Sequence, residues 1–234
     1  ADVDGIDAAN KIAILSAIAF RQRVPVDEIH REGIRDITAA DIHYAGELGC
    51  VIKLIALASR TPNGRLDVRV HPTFLPAKHP LAAVSGEFNA VFVDGHASGE
   101  VMLYGKGAGA MPTGAAVVAD VITSARNVRA DCRGRTPCVC DGVAEIKPIS
   151  ECETSHYIRM RVADEPGVLG QLASQLGEAG VSIKSVLQVD TVGSDAEIVW
   201  LTHPGLEGNV TTAVVNMRAM SSVRVIAPPI RVEV

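Results

Sequence analysis

Apolar runs and short polar breaks alternate along the chain, and their spacing predicts its elements. Ile12, Leu15 and Ala19 mark one face of a first helix, Ala13, Ala17 and Phe20 another, and Ile14 and Ile18 a third. A helix that is apolar nearly all round is expected to be buried. Val24-Pro25 breaks it, and residues 26–35 read as a short helix and turn. Thr38-Ala-Ala-Asp41 opens a second helix, with Ile42, Ala45 and Leu48 at helical spacing and Gly49 near its end. Residues 51–58 form a continuous apolar run, the mark of a buried strand. Thr61-Pro-Asn-Gly64 signals a hairpin turn, and residues 66–71 alternate as a strand with one wet face. Residues 81–84 suit a short helical turn, 89–94 and 100–104 paired strands. Residues 113–128 suit a helix with Val117, Val118, Val121 and Ile122 as its apolar band.

Periodicity disappears over residues 130–154, where Arg, Gly, Pro, Cys and Asp dominate; this predicts a linker with a short strand near 144–146. The remaining residues regain it. Residues 157–162 alternate as a strand. Val168, Leu169, Leu172, Ala173 and Leu176 mark a buried helical stripe that Gly180 ends. Strands at 181–189 and 196–202, a helix at 209–220 and closing strands at 223–227 and 231–234 complete a β-α-β-β-α-β order, a ferredoxin-like split βαβ. The expected fold is α/β in the α+β sense. Residues 1–129 would form a mixed or antiparallel sheet covered by helices on one face, with strands drawn from 51–58, 66–71, 89–94 and 100–104. A linker at 130–154 and a ferredoxin-like unit at 155–234 would follow.

Composition narrows the function. A chain of 234 residues can bury one large or two small cores. Aromatic residues make up only 3%, so Ala, Val and Ile fill the core and favour close helix-on-sheet packing. A net charge of −5 argues against a nucleic-acid footprint, which needs a basic face. No apolar run reaches the length of a membrane span, and no signal peptide is visible. Five cysteines are too few for a disulfide scaffold, so a reduced, cytoplasmic setting is expected. Cys132, Cys138, Cys140 and Cys152 cluster without the paired C-x2-C of most zinc sites, and the seven histidines show no metal spacing; no metal is expected.

Three stretches could carry chemistry. In Asp2-Val-Asp-Gly-Ile-Asp7-Ala-Ala-Asn-Lys11, the lysine is the one charge inside the apolar helix run, four residues after Asp7. Residues so spaced are neighbours on a helix. Burial would lower the lysine pKa and a carboxylate would raise it. A proton donor flanked by substrate-binding carboxylates, or a salt-bridged helix start capped by Asp2 or Asp4, both fit that spacing. Tyr104-Gly-Lys-Gly-Ala-Gly109-Ala-Met-Pro-Thr113 follows a strand and opens a helix. Gly105, Gly107 and Gly109 would let the backbone approach a phosphate or ring, or simply form a tight turn. The pattern is not the G-x-G-x-x-G of a dinucleotide fingerprint. Asp164-Glu-Pro-Gly167-Val-Leu169 lies at a strand-to-helix turn, where an acid and a glycine can hold an amino acid, or form a plain βα turn.

Together these residues resemble the homoserine dehydrogenase family. Asp2-Val-Asp-Gly-Ile-Asp7-Ala-Ala-Asn-Lys11 resembles the family's D-x-x-G-x-D-x-x-x-K signature, and Gly105-Lys-Gly-Ala-Gly109-x-x-Pro-Thr113 its second glycine loop. Asp164-Glu-Pro-Gly-Val-Leu169 within βαββαβ resembles an ACT domain. The resemblance implies NAD- or NADP-dependent interconversion of aspartate 4-semialdehyde and homoserine, in threonine, methionine and isoleucine biosynthesis. It implies Lys11 as the acid at the aldehyde oxygen, and Asp7 and Asp2 as substrate carboxylates. Gly105, Gly107 and Gly109 would lie at the cofactor, and Asp164 and Gly167 at an effector such as threonine. A homodimer or higher homo-oligomer is implied as well.

The chain also departs from the family. The family's Rossmann domain, the Glu-Pro just upstream of the signature and a second lysine near the substrate are not in it. The chain opens on Ala and within the signature, so it is expected to be the C-terminal part of a longer protein, inactive alone. The alternative is an amino-acid-sensing or oligomerising module without catalysis.

Overall fold

A computed structural model describes residues 1–132, 140–192 and 195–233. The chain divides into two compact units, residues 1–76 with 140–234, and residues 77–139.

The first unit contains helix α1 (Ile6–Phe20), the short strands β1 (Gln22–Arg23) and β2 (His30–Arg31), helix α2 (Ala39–Glu47), and the long strands β3 (Cys50–Arg60) and β4 (Leu66–Pro76). The second holds β5 (Phe88–Gly95), β6 (Gly99–Lys106) and α3 (Ala110–Arg129). The chain then re-enters the first unit through β7 (Gly142–Val143), β8 (Glu153–Ala163), α4 (Val168–Glu178), β9 (Ile183–Val192) and β10 (Asp195–Thr202). It ends with β11 (Gly205–Leu206), α5 (Glu207–Arg218), β12 (Val223–Ile226) and β13 (Ile230–Val232).

A nine-stranded mixed sheet runs through the first unit. Strands β12, β8, β10 and β9 lie in that order, antiparallel throughout, the expected ferredoxin-like arrangement. Pro228 and Pro229 follow β12, and proline cannot donate to a ladder. After them the chain resumes as β13, which pairs with the other end of β8 and, in parallel, with β4. β13 therefore joins the strands of residues 155–234 to those of the N-terminal region. β4 pairs in turn with β3 in an uninterrupted antiparallel hairpin and with β2 in parallel. The stretch read as a linker is partly woven in: β7 pairs with β1, Ile146 bridges Leu66, and Ala144 is buried. Residues 133–139, including Cys138, lie outside the described residues.

Helices α1 and α2 cover one face of β3 and β4. The α1 side chains Ala9 and Ala13 pack on Leu66, Val68, Val70 and the partly buried Leu54 and Ala56. Tyr44 and Ala45 of α2 pack on Phe74, Tyr157 and Val199. Helices α4 and α5 close a separate core over Ile158, Met160, Ile198 and Trp200.

Four expectations are corrected. Helix α1 is not buried all round: it seats its small residues Ala9, Ala13 and Ser16 and leaves Ile14 and Ile18 63% and 72% exposed. β4 has no wet face: besides the residues packed on α1, Asp67, Arg69, His71 and Thr73 are buried on the opposite side, where Arg231 lies beside His71. Residues 89–94 and 100–104 pair with each other in a separate two-stranded sheet rather than joining β3 and β4. Leu169 sits outside the buried stripe of α4, which is Val168, Leu172 and Leu176. The apolar band of α3 is present, but Val117, Val118, Val121 and Ile122 are exposed.

Candidate functional site

Residues 1–11 form a turn and the first two turns of α1. The N–H of Gly5 donates to the carbonyl of Asp2 at 3.1 Å, and Ile6 donates to Ala1 at 2.9 Å. Gly5 caps the helix with φ +71°, a left-handed conformation that disfavours a side chain. A Cβ there would also stand 3.1 Å from Val70 Cγ1 and 3.3 Å from Arg31 Cγ. No side chain caps α1, which corrects the capping role considered for Asp2 or Asp4. Asp4 is turned instead to Arg35, whose guanidinium donates to both carboxylate oxygens at 2.6 and 3.0 Å. That pairing holds the Asp4 carboxyl below its usual range.

Lys11 Nζ donates to Asp7 Oδ2, one turn back along α1. The two side chains are 62% and 46% exposed. The buried ammonium expected from the apolar run is thus corrected: Lys11 projects from α1 on a side away from β3 and β4. An exposed ion pair contributes little to folding. Asp2 is exposed on the turn just before it. An accessible ammonium fixed beside a carboxylate can donate a proton to an oxygen that gains charge, while free carboxylate oxygens bind a substrate ammonium.

Gly105 lies at the end of β6 in the other unit, and Gly107 and Gly109 lie between β6 and α3. The N–H of Gly107 donates to the Glu87 carbonyl at 3.0 Å. A Cβ on Gly107 would fall 1.9 Å from Asn89 Nδ2, and Gly109 caps α3 with φ +113°. Gly105 has open space around its backbone. The first turn of α3 carries no acidic residue and no side-chain cap, so its N–H groups and dipole suit an anionic group. Gly105, Gly107 and Gly109 thus lead directly into that helix end.

Asp164 and Gly167 share a pocket of about 350 Å³ with Glu165, Val168, Gln188 and Ile198. Gln188 Nε2 donates to Asp164 Oδ1 at 3.4 Å, and Gly167 caps α4 with φ +92°. A carboxylate, an amide and a helix N-terminus converge there on one concave surface.

A second set of charges has no sequence signature. Arg231 of β13 donates to both oxygens of Glu32 at 2.8 and 2.9 Å, and to both oxygens of Glu207 at the start of α5. His156 Nε2 and Thr154 Oγ1 also reach Glu207 Oε1, at 3.2 and 2.7 Å. Burial favours the neutral acid at Glu32, but hydrogen bonds from His30 and Arg231 outweigh it and hold the carboxyl down to about 2. Burial acts likewise on Glu207, and His156 and Arg231 overcome it, keeping that carboxyl well below its usual range. His71, beside this cluster, is pushed down to about 3 by burial and by Arg231 and Arg69. Arg231 was legible only as one charge between Ile230 and Val232; its partner Glu32 is 199 residues away.

The sequence model of the homoserine dehydrogenase family matches residues 1–122. A homoserine dehydrogenase of Synechocystis is 42% identical over 99% of this chain and 55% of its own length. That of Corynebacterium glutamicum is 41% identical over 100% and 53%. The crystal structure of a homoserine dehydrogenase from Thiobacillus denitrificans superposes with a TM-score of 0.89 at 39% identity, covering 99% of this chain and 54% of that one. The homoserine dehydrogenase of S. aureus at pH 6.0 gives a TM-score of 0.68 at 30% identity, covering 100% and 54%. The chain thus spans about half the length of the relatives it matches. It carries the acid-rich turn, Lys11 and the glycine loop within the matched residues, and it belongs to the homoserine dehydrogenase family.

Proposed function

We propose that this chain supplies the substrate side of an NAD- or NADP-dependent homoserine dehydrogenase, which interconverts aspartate 4-semialdehyde and L-homoserine for threonine, methionine and isoleucine biosynthesis. The observation that carries the reading is the exposed Lys11–Asp7 pair, one helical turn apart on a segment the family model matches. The nicotinamide cofactor, when bound, exchanges a hydride with the carbon bearing the oxygen. Lys11 gives a proton to the aldehyde oxygen in reduction and takes it back in oxidation. Asp7 orients that ammonium and, with Asp2, binds the substrate. The loop of Gly105, Gly107 and Gly109 meets the cofactor through its backbone.

Residues 1–129 form the catalytic and dimerising region in this reading, 130–154 a linker, and 155–234 an ACT-type regulatory domain. The pocket at Asp164 and Gly167 would take an amino-acid effector such as threonine. A homodimer fits the long outer edge of β3, which among the described residues pairs only with β4, since an open edge is a template for another strand. A cytoplasmic setting fits as well; among the described residues no helix is long and apolar enough to cross a membrane.

The experiment is a homoserine oxidation assay on two polypeptides, this chain alone and this chain joined to a dinucleotide-binding half. The joined polypeptide is expected to reduce NAD or NADP with homoserine, and the chain alone is not. Absence of turnover in the joined, folded protein would overturn the assignment.

A further inference from the structure

Residues 32–41 are tied to the C-terminal half at both ends and to the acid-rich turn in the middle. At one end the Glu32 carboxylate receives two hydrogen bonds from Arg231, which Glu207 holds from its other side. At the other end Arg159 of β8 donates to Asp41 Oδ1 at 2.8 Å and to Thr38 Oγ1 at 3.0 Å, and also pairs with Glu197 of β10. Between these anchors, the N–H of Ile34 donates to the carbonyl of Val3 at 2.9 Å, and Arg35 grips Asp4. The contact at Gly33 is closer still. A Cβ there would stand 2.6 Å from the Val3 carbonyl oxygen and 2.9 Å from the Asp4 Cα.

The turn that these residues grip carries Asp2 and leads, through Gly5, into the helix bearing Asp7 and Lys11. Its own internal bonds are the two short backbone contacts to Asp2 and Ala1 and a weaker one from Asp7 to Ala1 at 3.3 Å. Its place against the rest of the unit therefore depends strongly on residues 33–35. Those residues are fixed in turn by the neighbouring Glu32, whose carboxylate is locked by a guanidinium and whose N–H donates to Val70 at 2.8 Å. Arg231 is buried while Glu32 is partly exposed, so a shifted Glu32 would leave part of the buried guanidinium charge uncompensated.

We propose that residues 32–41 are a strap through which the C-terminal half positions the acid-rich turn, with Glu32 as its positioning residue. The inference rests on the assignment of Asp2, Asp7 and Lys11 to the substrate site. Glu32 touches none of those three; it acts through Gly33 and Ile34 on Val3 and Asp4. Movement of β13 or of the start of α5 would reach the turn by this route.

Amide hydrogen exchange on the 234-residue chain tests the strap without requiring turnover. Glu32→Gln leaves Arg231 bound to Glu207, so the fold persists. The Gly5 and Ile34 amides are expected to exchange about tenfold faster, as loss of one charge-assisted anchor implies, while Ile158 and Met160 keep their rates. Gly33→Ala, which pushes Val3 directly, is the positive control. Acceleration in Gly33→Ala with none in Glu32→Gln would overturn the proposal. In the joined polypeptide, Glu32→Gln is expected to raise KM for homoserine several-fold with the cofactor KM unchanged, and Glu32→Asp to restore part of it. Equal shifts in both KM values would also overturn it. A wild-type joined protein that oxidises no homoserine defeats the functional reading instead, and the exchange arm still decides the strap.

Discussion

Arg231 and Glu32 lie 199 residues apart in sequence and meet through two hydrogen bonds of 2.8 and 2.9 Å. Arg231 also binds Glu207, so one guanidinium on β13 is shared by two carboxylates from distant parts of the chain. Replacing it with the similarly long Met would leave both without their shared cation, Glu207 in a buried site. Breaking a buried pair in this way costs about 3 kcal/mol or more. Arg231→Met should therefore lower the midpoint of urea unfolding by a large fraction of the chain's stability. A loss below about 1 kcal/mol, the scale of an exposed pair, would mean that the cluster is hydrated and worth little.

The same carboxylates give the fold an acid limit. In the folded chain Glu32 is held down to about 2 from an ordinary 4.5, burial being overcome by His30 and Arg231; Glu207 is shifted the same way. A carboxyl depressed by folding contributes stability that is complete above its unfolded value and is lost as pH falls through its folded one. Thermal midpoints should thus begin to fall below about pH 6.5, where unfolding lets the neutral His71 take up a proton, and fall more steeply between roughly pH 4.5 and 2 as the carboxylates titrate. The Glu32→Gln variant, which has no proton to take up there, should show a shallower fall. Identical acid profiles for the two proteins would show that Glu32 is not depressed.

Much of this architecture was legible in the sequence because it rests on local patterns. The 3.6-residue spacing marked α1, α2, α3 and α4, and the alternation over residues 157–162 found β8. What was not legible depends on distant partners. Val68 and Arg69 alternate like a half-wet strand, yet β4 lies between β3 on one edge and β2 and β13 on the other, and both its faces are covered. Nor could composition say that α1 rests on Ala9 and Ala13 while Ile14 and Ile18 stay exposed. The Asp7–Lys11 pair was readable from spacing; its exposure was not. Glu32, Arg231 and Glu207 were invisible, because an ordinary charge acquires its meaning only when the fold brings its partners to it.

Lys11 should separate chemistry from stability cleanly. Its pair with Asp7 is exposed, so Lys11→Met is expected to change the unfolding free energy by less than about 0.5 kcal/mol. In the polypeptide joined to a dinucleotide-binding half, loss of a positioned proton donor should lower kcat by about two to four powers of ten. Cofactor binding, followed by quenching of protein fluorescence, should be unchanged. A variant that retains turnover would move the proton donor elsewhere.

Asp41 should be the most sensitive single position of α2. Its carboxylate accepts from the Thr38 N–H at 2.9 Å and from Thr38 Oγ1 at 2.6 Å, while its own N–H donates to Thr38 Oγ1 at 3.4 Å, so the two residues form a reciprocal cap. The same carboxylate binds Arg159 and receives the Tyr157 hydroxyl at 3.2 Å. Burial works against its charge, but the Arg159 and Thr38 hydrogen bonds win and keep the carboxyl below its ordinary value. Asp41→Ala removes the half of the cap that its carboxylate accepts while its N–H still donates to Thr38 Oγ1, at about 1 kcal/mol, and deprives Arg159 of one of its two carboxylates, at about 2 kcal/mol more. Asp41→Asn keeps the shape and much of the cap but not the charge, so it should recover the smaller share alone. Chemical unfolding of both variants checks the division. If Asn restored full stability, the Arg159 pairing would contribute nothing and α2 would be held by its cap and by Tyr44 and Ala45 against the sheet.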